Sequence, residues 1–403
     1  MDEKSYTMIL SGRIRIHRIA YRRKGAFLNM LRKRNRWIIP ALVIVLAAVG
    51  VGGYFAGESA AASRYQTQRE KEILLNRSEW DALGEIEGTI YVTGHKSPDS
   101  DTVGSAIAYA ALLRALGYDA QAVVLGSVNH ETQYILDAAK LDALPLLEDA
   151  SGCNMALVDH SEYLQSADGL KDAHIISIID HHGDGTVQTG NQLIYDARPL
   201  GATATIIWLR YRDAGLSPDQ QTALVMMGAI LSDTKNLQSD ATTFADRDAL
   251  RELSGIAGIS DTDAFYSEMY KALLSYEGMT DEEIYFSDYK EYEVDGRKFG
   301  IACMKVYDEE GAKDLAGRMK ALFPSVLASA GMEMAFVKIG ISHDDLSVAY
   351  LVPSDDAAAE VLEAAFGETA VFDGTSYMLS PNVSRKTVMV PAITDVLKAN
   401  PPE

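Results

Sequence analysis

Histidine and aspartate side chains cluster at four places in this sequence, each where an apolar segment ends. In chain order the clusters are His95, Asp99 and Asp101; Asp159 and His160; Asp180, His181 and His182; and Asp233. A charged residue at the end of a long apolar segment is costly unless it is paired or bound to a cation. The first cluster taken alone is also compatible with a turn followed by a helix N-cap. Four such clusters together indicate a functional site.

Imidazole and carboxylate ligands without thiolates suit a Mn²⁺-like ion better than a structural zinc ion. Asp99 and Asp101 can point toward two neighbouring cations, and a carboxylate shared between them would imply a two-metal site. Two cations roughly 3.5–4 Å apart clamp a phosphoryl group and lower the pKa of a bridging water. The chemistry indicated is therefore phosphoryl hydrolysis, with a metal-bridging hydroxide as the nucleophile.

The elements that must position these residues follow α/β order. Apolar segments predict strands at 89–93, 121–125, 155–158, 175–179 and 192–195, with helices at 202–214 and 218–231 between or after them. Apolar runs this continuous are typical of strands buried on both faces of a mostly parallel sheet. Ligands of such sheets bind at the carboxyl ends of the strands, where the clusters lie. Five of the eight histidines, His174 among them, lie at or near these ends.

The last 120 or so residues have a different pattern. A polar linker is expected at 275–284, and strands at 289–294 and 298–304 flank the turn signal Asp295-Gly296. A second strand pair brackets 342–345, with helices at 311–327 and 357–366. We expect a smaller α+β domain over 285–403.

Charge is distributed unevenly along the 403 residues. The net charge is −20, yet the arm 1–36 carries eleven Lys/Arg and two Asp/Glu. The acidic remainder repels nucleic-acid phosphates, so no nucleic-acid partner is expected. Cys153 and Cys303 match no metal or redox spacing.

The segment 37–56 has twenty uncharged residues, about the length of a membrane-spanning helix. A transmembrane helix is expected there, followed by a stalk at 57–87; a buried core helix and a cleaved signal peptide are the alternatives. Eight basic residues precede the segment between Arg18 and Arg36, against three after it. This bias predicts a single-pass membrane protein with a cytoplasmic N-terminus and an extracytoplasmic catalytic domain.

The order and spacing of the clusters resemble those of the DHH phosphoesterases. The run GHKSPDSDTVGSAIAYA and the Asp-His, Asp-His-His and Ser-Asp-Thr motifs resemble, more specifically, the manganese-dependent family II inorganic pyrophosphatases. The segment Gly201-Ala202-Thr203-Ala204-Thr205 is similar to the family's Gly-Ser-Thr-Ala-Thr. The resemblance, over residues 88–391, implies a mostly parallel-sheet DHH domain (88–274) and the smaller C-terminal domain, with the active site in the cleft between them.

The resemblance also implies two divalent cations, with Mn²⁺ preferred over Co²⁺ or Mg²⁺. The ligands of the first would be His95, Asp99 and Asp159. The ligands of the second would be Asp101, Asp159, His181 and Asp233. Asp159 would bridge the two ions.

The same resemblance implies that pyrophosphate or a related phosphate is the substrate. His182 would face it, with His160 in support, and Lys290 would act from the C-terminal domain. Further substrate contacts would come from the motif Ser384, Arg385 and Lys386.

Four positions depart from the family pattern. Thr387 and Val388 stand where the family usually continues with Lys-Gln, Ser161 stands in place of Asn, and Cys303 in place of a common Gln. These changes concern turnover and substrate selectivity rather than metal binding.

Two other functions stay open. One is a DHH phosphodiesterase acting on short oligonucleotides or cyclic dinucleotides, although the glycine-rich His motif usual in that branch is missing. The other is a non-catalytic, membrane-tethered phosphate-binding protein, although every expected ligand position is filled. A homodimer is among the assemblies that the sequence leaves open.

Overall fold

A computed structural model describes residues 38–183, 185–342 and 347–400. The chain divides into two compact units, with the boundary between Ser78 and Glu79. The basic arm expected at 1–36 lies outside the described residues. So does most of the connection expected at 342–345.

The segment expected to cross a membrane forms part of a longer helix. Helix α1 (Ile38–Asp81) has 44 residues and runs on through charged positions such as Glu58, Arg64 and Arg69. Among the described residues, no helix is both long and apolar enough to cross a bilayer.

The expected single-pass localisation with an extracytoplasmic catalytic domain is therefore wrong, and the transmembrane helix expected at 37–56 is not supported. The uncharged stretch is not a helix of its own, because α1 continues without a break from Ile38 through charged positions to Asp81.

The first domain of the second unit contains a five-stranded sheet in which every neighbouring pair is parallel. Its strands are β1 (Ile90–Thr93), β2 (Ala120–Ala122), β3 (Asn154–Val158), β4 (His174–Asp180) and β5 (Ile194–Ala197). Their order is β2-β1-β3-β4-β5. Because all strands run the same way, their carboxyl ends meet at one edge. The expected parallel α/β sheet is confirmed.

Six helices belong to this domain: α2 (Ser100–Ala115), α3 (His130–Ala139), α4 (Thr203–Asp213), α5 (Gln220–Asp233), α6 (Phe244–Ala257) and α7 (Thr262–Leu273). Helices α2 and α5 are buried along most of their length. A Cβ at Gly104 would lie 2.8 Å from the carbonyl oxygen of Val225, so this glycine lets the two helices approach closely. Helices α3, α6 and α7 have no counterpart among the expected elements.

The C-terminal domain holds a six-stranded mixed sheet. Its elements are α8 (Asp281–Ser287), β6 (Tyr289–Val294), β7 (Arg297–Val306), α9 (Glu309–Ala330), β8 (Met334–Ile341), β9 (Ala349–Pro353), α10 (Asp356–Phe366), β10 (Ala370–Phe372), β11 (Tyr377–Leu379) and α11 (Val390–Ala399). The strand order is β10-β11-β9-β8-β7-β6, and only β7 and β8 pair in parallel. The turn Asp295-Gly296 joins β6 to β7 with positive φ at both residues.

Alternate residues of β7 and β8 enter different hydrophobic cores. Ala302, Met304, Val337 and Ile339 pack in the core that contains α9. Phe299, Ile301, Met334 and Phe336 pack on the opposite face, in the core that contains α10 and α11. Side chains point alternately to the two faces of a sheet. Cys303 and Lys305 of β7 therefore lie on the same face as Phe299 and Ile301.

Candidate active site

The four clusters meet at the carboxyl edge of the parallel sheet. His95 follows β1, Asp159 follows β3, and His181 follows β4. Asp233 is the last residue of α5 and reaches the same place from the helical layer. Three groups of side chains there each bring one ligand atom per residue within 4.8 Å of one another.

The first group contains His95, Asp99 and Asp159. The Nε2 atom of His95 lies 3.4 Å from Oδ2 of Asp99 and 3.6 Å from Oδ2 of Asp159. Asp99 is also the N-cap of α2, since its Oδ1 accepts a hydrogen bond of 2.9 Å from the backbone N–H of Thr102. The turn with an N-cap and the ligand cluster are therefore the same structure.

The second group contains Asp101, His181 and Asp233. The Nε2 atom of His181 lies 4.0 Å from Oδ2 of Asp101 and 3.4 Å from Oδ2 of Asp233. It also lies 3.4 Å from Oδ1 of Asp159, whereas the first group faces Oδ2 of the same carboxylate. Asp159 thus presents one oxygen to each group. The third group combines Asp159 and His181 with His182.

The His181 ring is oriented for metal binding. Its Nδ1 lies 3.0 Å from the carbonyl oxygen of Leu200, which can only accept, so Nδ1 carries the hydrogen. The buried Nε2 faces the carboxylates and has no hydrogen-bond partner among the described residues. A neutral imidazole whose other nitrogen donates to a carbonyl is the usual arrangement of a metal-bound histidine.

Asp159 is buried and tightly held. Thr102 Oγ1 donates to its Oδ2 at 2.8 Å, and Thr203 Oγ1 donates to its Oδ1 at 3.1 Å. Its backbone lies in the left-handed region with φ 61°, which non-glycine residues rarely adopt.

Asp101 is held by the beginning of helix α4. The backbone N–H groups of Thr203 and Ala204 donate to its two oxygens at 2.6 and 2.9 Å, and Ser105 Oγ donates to Oδ1 at 3.1 Å. These donors were not predicted, although the Gly-Ala-Thr-Ala-Thr segment that supplies two of them is visible in the sequence. A helix N-terminus stabilises a carboxylate through its free N–H groups and its dipole.

The carboxylates of this site oppose one another's ionisation. Burial raises the pKa of Asp159 well above its ordinary value, and the charges of Asp101, Asp99 and Asp233 raise it further. Burial followed by the charges of Asp101 and Asp99 raises the pKa of Asp233 to about 9. Burial likewise raises the pKa of Asp101. Nearby cations would allow all of them to ionise together, so this donor set fits two divalent metal ions.

His182 lies at the exposed side of the site. Its Nδ1 lies 3.0 Å from Oδ1 of Asp180, and 53% of the side chain is exposed. The hydrogen bond to Asp180 raises the pKa of His182, with the charge of that carboxylate adding to the effect. The ring is therefore accessible to a ligand, and its raised pKa favours the protonated form.

A second candidate feature is a cavity of about 770 Å³ that is lined mostly by the C-terminal domain. Five cationic residues line it: Lys290, Lys305, Lys338, Arg385 and Lys386. Ser384 also lines it and caps the following turn by accepting a hydrogen bond from the N–H of Thr387. Clustered cations of this kind suit an anionic ligand such as phosphate.

Comparison with known proteins identifies the family to which this chain belongs. Residues 89–230 match the DHH family, N-terminal domain, and residues 267–396 match the DHHA2 domain. A probable manganese-dependent inorganic pyrophosphatase of Clostridium acetobutylicum is 33% identical over 315 residues, which cover 78% of this chain and 99% of that protein. The manganese-dependent inorganic pyrophosphatase of Bacillus subtilis is 34% identical over 310 residues, 76% of this chain and 98% of that protein. This chain belongs to the family II inorganic pyrophosphatases of the DHH superfamily.

Two histidines of this family II member do not face the metal-binding groups. His160 is buried, with Nδ1 2.9 Å from the carbonyl oxygen of Val158 and Nε2 2.9 Å from Ser166 Oγ. Burial lowers its pKa, so it supports the loop as a neutral ring. His174 begins β4 and lies at the opposite end of that strand, so placing it among the strand-end clusters was wrong.

The positions that depart from the family pattern lie beside the third metal-binding group and at the cavity of the C-terminal domain. Ser161 Oγ donates to the carbonyl oxygen of Gly183 at 3.3 Å, beside the third cluster. Cys303 lines the cavity. Thr387 and Val388 lie in the irregular turn Arg385–Met389 that follows Ser384.

Lys305 and Lys338 belong to no expected motif of the family. Both were missed because each is a lysine that follows an apolar run within its strand, and the sequence does not show which face it occupies. Arg385 was expected to contact substrate, but its guanidinium is engaged. It donates to Oδ1 of Asp288 at 2.6 Å and to the carbonyl oxygens of Asp288 and Ile301 at 2.7 and 3.2 Å.

Proposed function

We propose that this protein hydrolyses inorganic pyrophosphate to phosphate with two manganese ions. The observation that carries the proposal is Asp159, a buried carboxylate with one oxygen directed at each of two His-Asp groups. The names of the curated relatives support the metal and the substrate. In the reaction water adds to one phosphorus, the bridging P–O bond breaks, and the leaving phosphate takes up a proton.

The residues that would hold the first ion are His95, Asp99 and Asp159. Those that would hold the second are Asp101, Asp159, His181 and Asp233. Such ions, when bound, activate water at neutral pH and polarise a phosphoryl oxygen.

The protein itself would orient the substrate and neutralise its charge. His182, which shares a proton with Asp180, can donate a hydrogen bond from its exposed ring to a phosphoryl oxygen. Lys290 and Lys386 would place positive charge on the phosphoryl group held by the C-terminal domain. No contact among the described residues favours a phosphodiesterase or a non-catalytic binding protein over this function.

The test is phosphate release from pyrophosphate by the full-length protein with Mn²⁺. Asp159→Asn should lower turnover by more than about 100-fold, because losing the shared carboxylate disrupts both ions and the attacking water. The exposed Asp142→Asn is the matched control and should keep wild-type turnover. Circular dichroism establishes that both variants fold.

A folded Asp159→Asn variant that keeps more than about a tenth of the wild-type rate would contradict the shared-ligand assignment. A dinucleotide assayed in parallel tests the phosphodiesterase alternative. Faster turnover of the dinucleotide than of pyrophosphate would replace the proposed substrate.

A further inference from the structure

Lys305 and Lys338 lie on the same face of the C-terminal sheet, and both are near the carboxyl ends of their strands. In the register of β7 and β8, Lys338 is opposite Cys303, and Gly340 is opposite Lys305. Strands β7 and β8 are parallel, so the two lysines approach the edge where both strands end. Lys290 enters from the beginning of the antiparallel strand β6. All three side chains line the same cavity.

The fold itself does not require lysine at these positions. Earlier along the same face, Phe299, Ile301 and Phe336 form hydrophobic core. Lys338 is half-buried in an interior strand, where an apolar residue would cost less than an ammonium group. Burial lowers the pKa of Lys338, and the nearby charges of Lys305 and Arg385 lower it further.

In the described part of the chain, no carboxylate forms an ion pair with either lysine. Among the described residues, neither Lys305 nor Lys338 has a carboxylate within 4.0 Å, the limit for an ion pair. Asp288 is the one acidic residue in the described lining of the cavity, and it pairs with Arg385 at 2.6 Å. The described lining of the cavity therefore carries positive charge without a carboxylate in ion-pair distance of Lys305 or Lys338, and a bound anion would neutralise it.

The segment that begins at Ser384 supplies little free positive charge. Asp288 offsets the charge of Arg385, and the uncharged Thr387 and Val388 follow Lys386. Lys305 and Lys338 supply two further charges to the lining of the same cavity.

We propose that Lys305 and Lys338 bind the phosphoryl group of pyrophosphate that lies in the C-terminal domain, and so determine affinity for this substrate. The proposal rests on the pyrophosphatase function given above. Two flexible ammonium groups should bind the substrate and the transition state about equally well. Their loss should therefore raise KM and leave kcat nearly unchanged.

The first experiment measures steady-state kinetics of the full-length protein with Mn²⁺ and pyrophosphate. Lys305→Ala and Lys338→Met should each raise KM about tenfold, as expected for one hydrogen bond to a charged group, with kcat within about twofold. Methionine keeps the packing of the half-buried Lys338 side chain. Lys298→Ala is the matched control, since this exposed lysine also lies on β7 but outside the cavity lining.

The second experiment needs no metal and no turnover. Cys303 lies in the cavity opposite Lys338, whereas Cys153 lies in the other domain. Inorganic phosphate, added to metal-free protein, should slow iodoacetamide labelling of Cys303 and leave labelling of Cys153 unchanged. Peptide mass spectrometry measures both. The Lys305→Ala/Lys338→Met double variant should lose the protection.

Wild-type KM in both single variants, or phosphate protection that persists in the double variant, would overturn the proposal. Protection that depends on the two lysines in a protein without pyrophosphatase activity would refute the proposed function and leave the phosphate site standing. The two failures are thus distinguishable.

Discussion

The hydroxyl groups of two threonines hold the shared carboxylate in place. Thr102 and Thr203 each donate to one oxygen of Asp159, and its backbone occupies the left-handed region. Such a conformation costs on the order of 1–3 kcal/mol and persists where surrounding contacts determine it. The two threonines therefore aim a strained residue whose oxygens must face two different groups.

This arrangement gives a prediction at the scale of one residue. Thr203→Val keeps the shape of the side chain but removes the donor to Asp159 Oδ1, so Mn²⁺ affinity should fall by about 10–100-fold. Calorimetric titration of the metal-free protein measures it. Thr203→Ser restores the hydroxyl and should recover most of the affinity. Wild-type affinity in the valine variant would show that the hydrogen bond does not position the carboxylate.

At the scale of elements, one buried carboxylate joins the beginnings of two helices. Asp246 accepts from the N–H of Gly201 and the hydroxyl of Thr205 at the beginning of α4, and from the N–H and hydroxyl of Thr243 at the N-cap of α6. Gly201 has no room for a side chain, because a Cβ there would lie 2.7 Å from Asp246 Oδ2. Helix α4 in turn donates to Asp101.

Asp246→Ala should therefore lower the free energy of unfolding by about 3 kcal/mol, since several buried donors lose their acceptor. Urea denaturation of the metal-free protein measures the change. The exposed Asp240→Ala, in the loop before α6, is the control and should remain within about 0.5 kcal/mol of wild type. A loss below about 1 kcal/mol for Asp246→Ala would show that water or neighbouring groups replace its contacts.

At the scale of the whole molecule, metal ligands and substrate cations come from different parts of the chain. All candidate ligands lie between His95 and Asp233, and all cavity cations lie between Lys290 and Lys386. The first part would bind the metal ions and the second would bind the substrate. A substitution among the cavity cations should therefore leave metal affinity unchanged.

Lys386→Ala should reduce pyrophosphate turnover by roughly 10²–10³-fold, the effect of losing one preorganised charge, while Mn²⁺ affinity stays near wild type. Lys386 tests this more cleanly than Arg385, whose removal would also break contacts to Asp288 and Ile301. Phosphate release and calorimetric metal titration measure the two quantities. Loss of metal binding in this variant would mean that the C-terminal domain also shapes the metal site.

The amino-acid sequence was enough to predict the family, the parallel sheet and the meeting of the Asp and His clusters. This was possible because strands buried on both faces have continuous apolar sequences, and parallel strands bring their carboxyl ends to one edge. His95, Asp159 and His181 each follow such a strand, so their proximity needs no knowledge of loops. The prediction failed for His174, because this residue is the first of its strand rather than the last.

The hydrogen bonds that support the metal-binding groups and the charges that line the cavity became visible only in the folded chain. The donors of Thr203 and Ala204 reach Asp101 across about a hundred positions of sequence, and local patterns carry no information about such contacts. Lys305 and Lys338 become neighbours only through the register of β7 and β8. The expected membrane span was likewise an argument from one local stretch. Hydrophobic periodicity determines which face of an element is buried, whereas long-range pairing determines which side chains meet there.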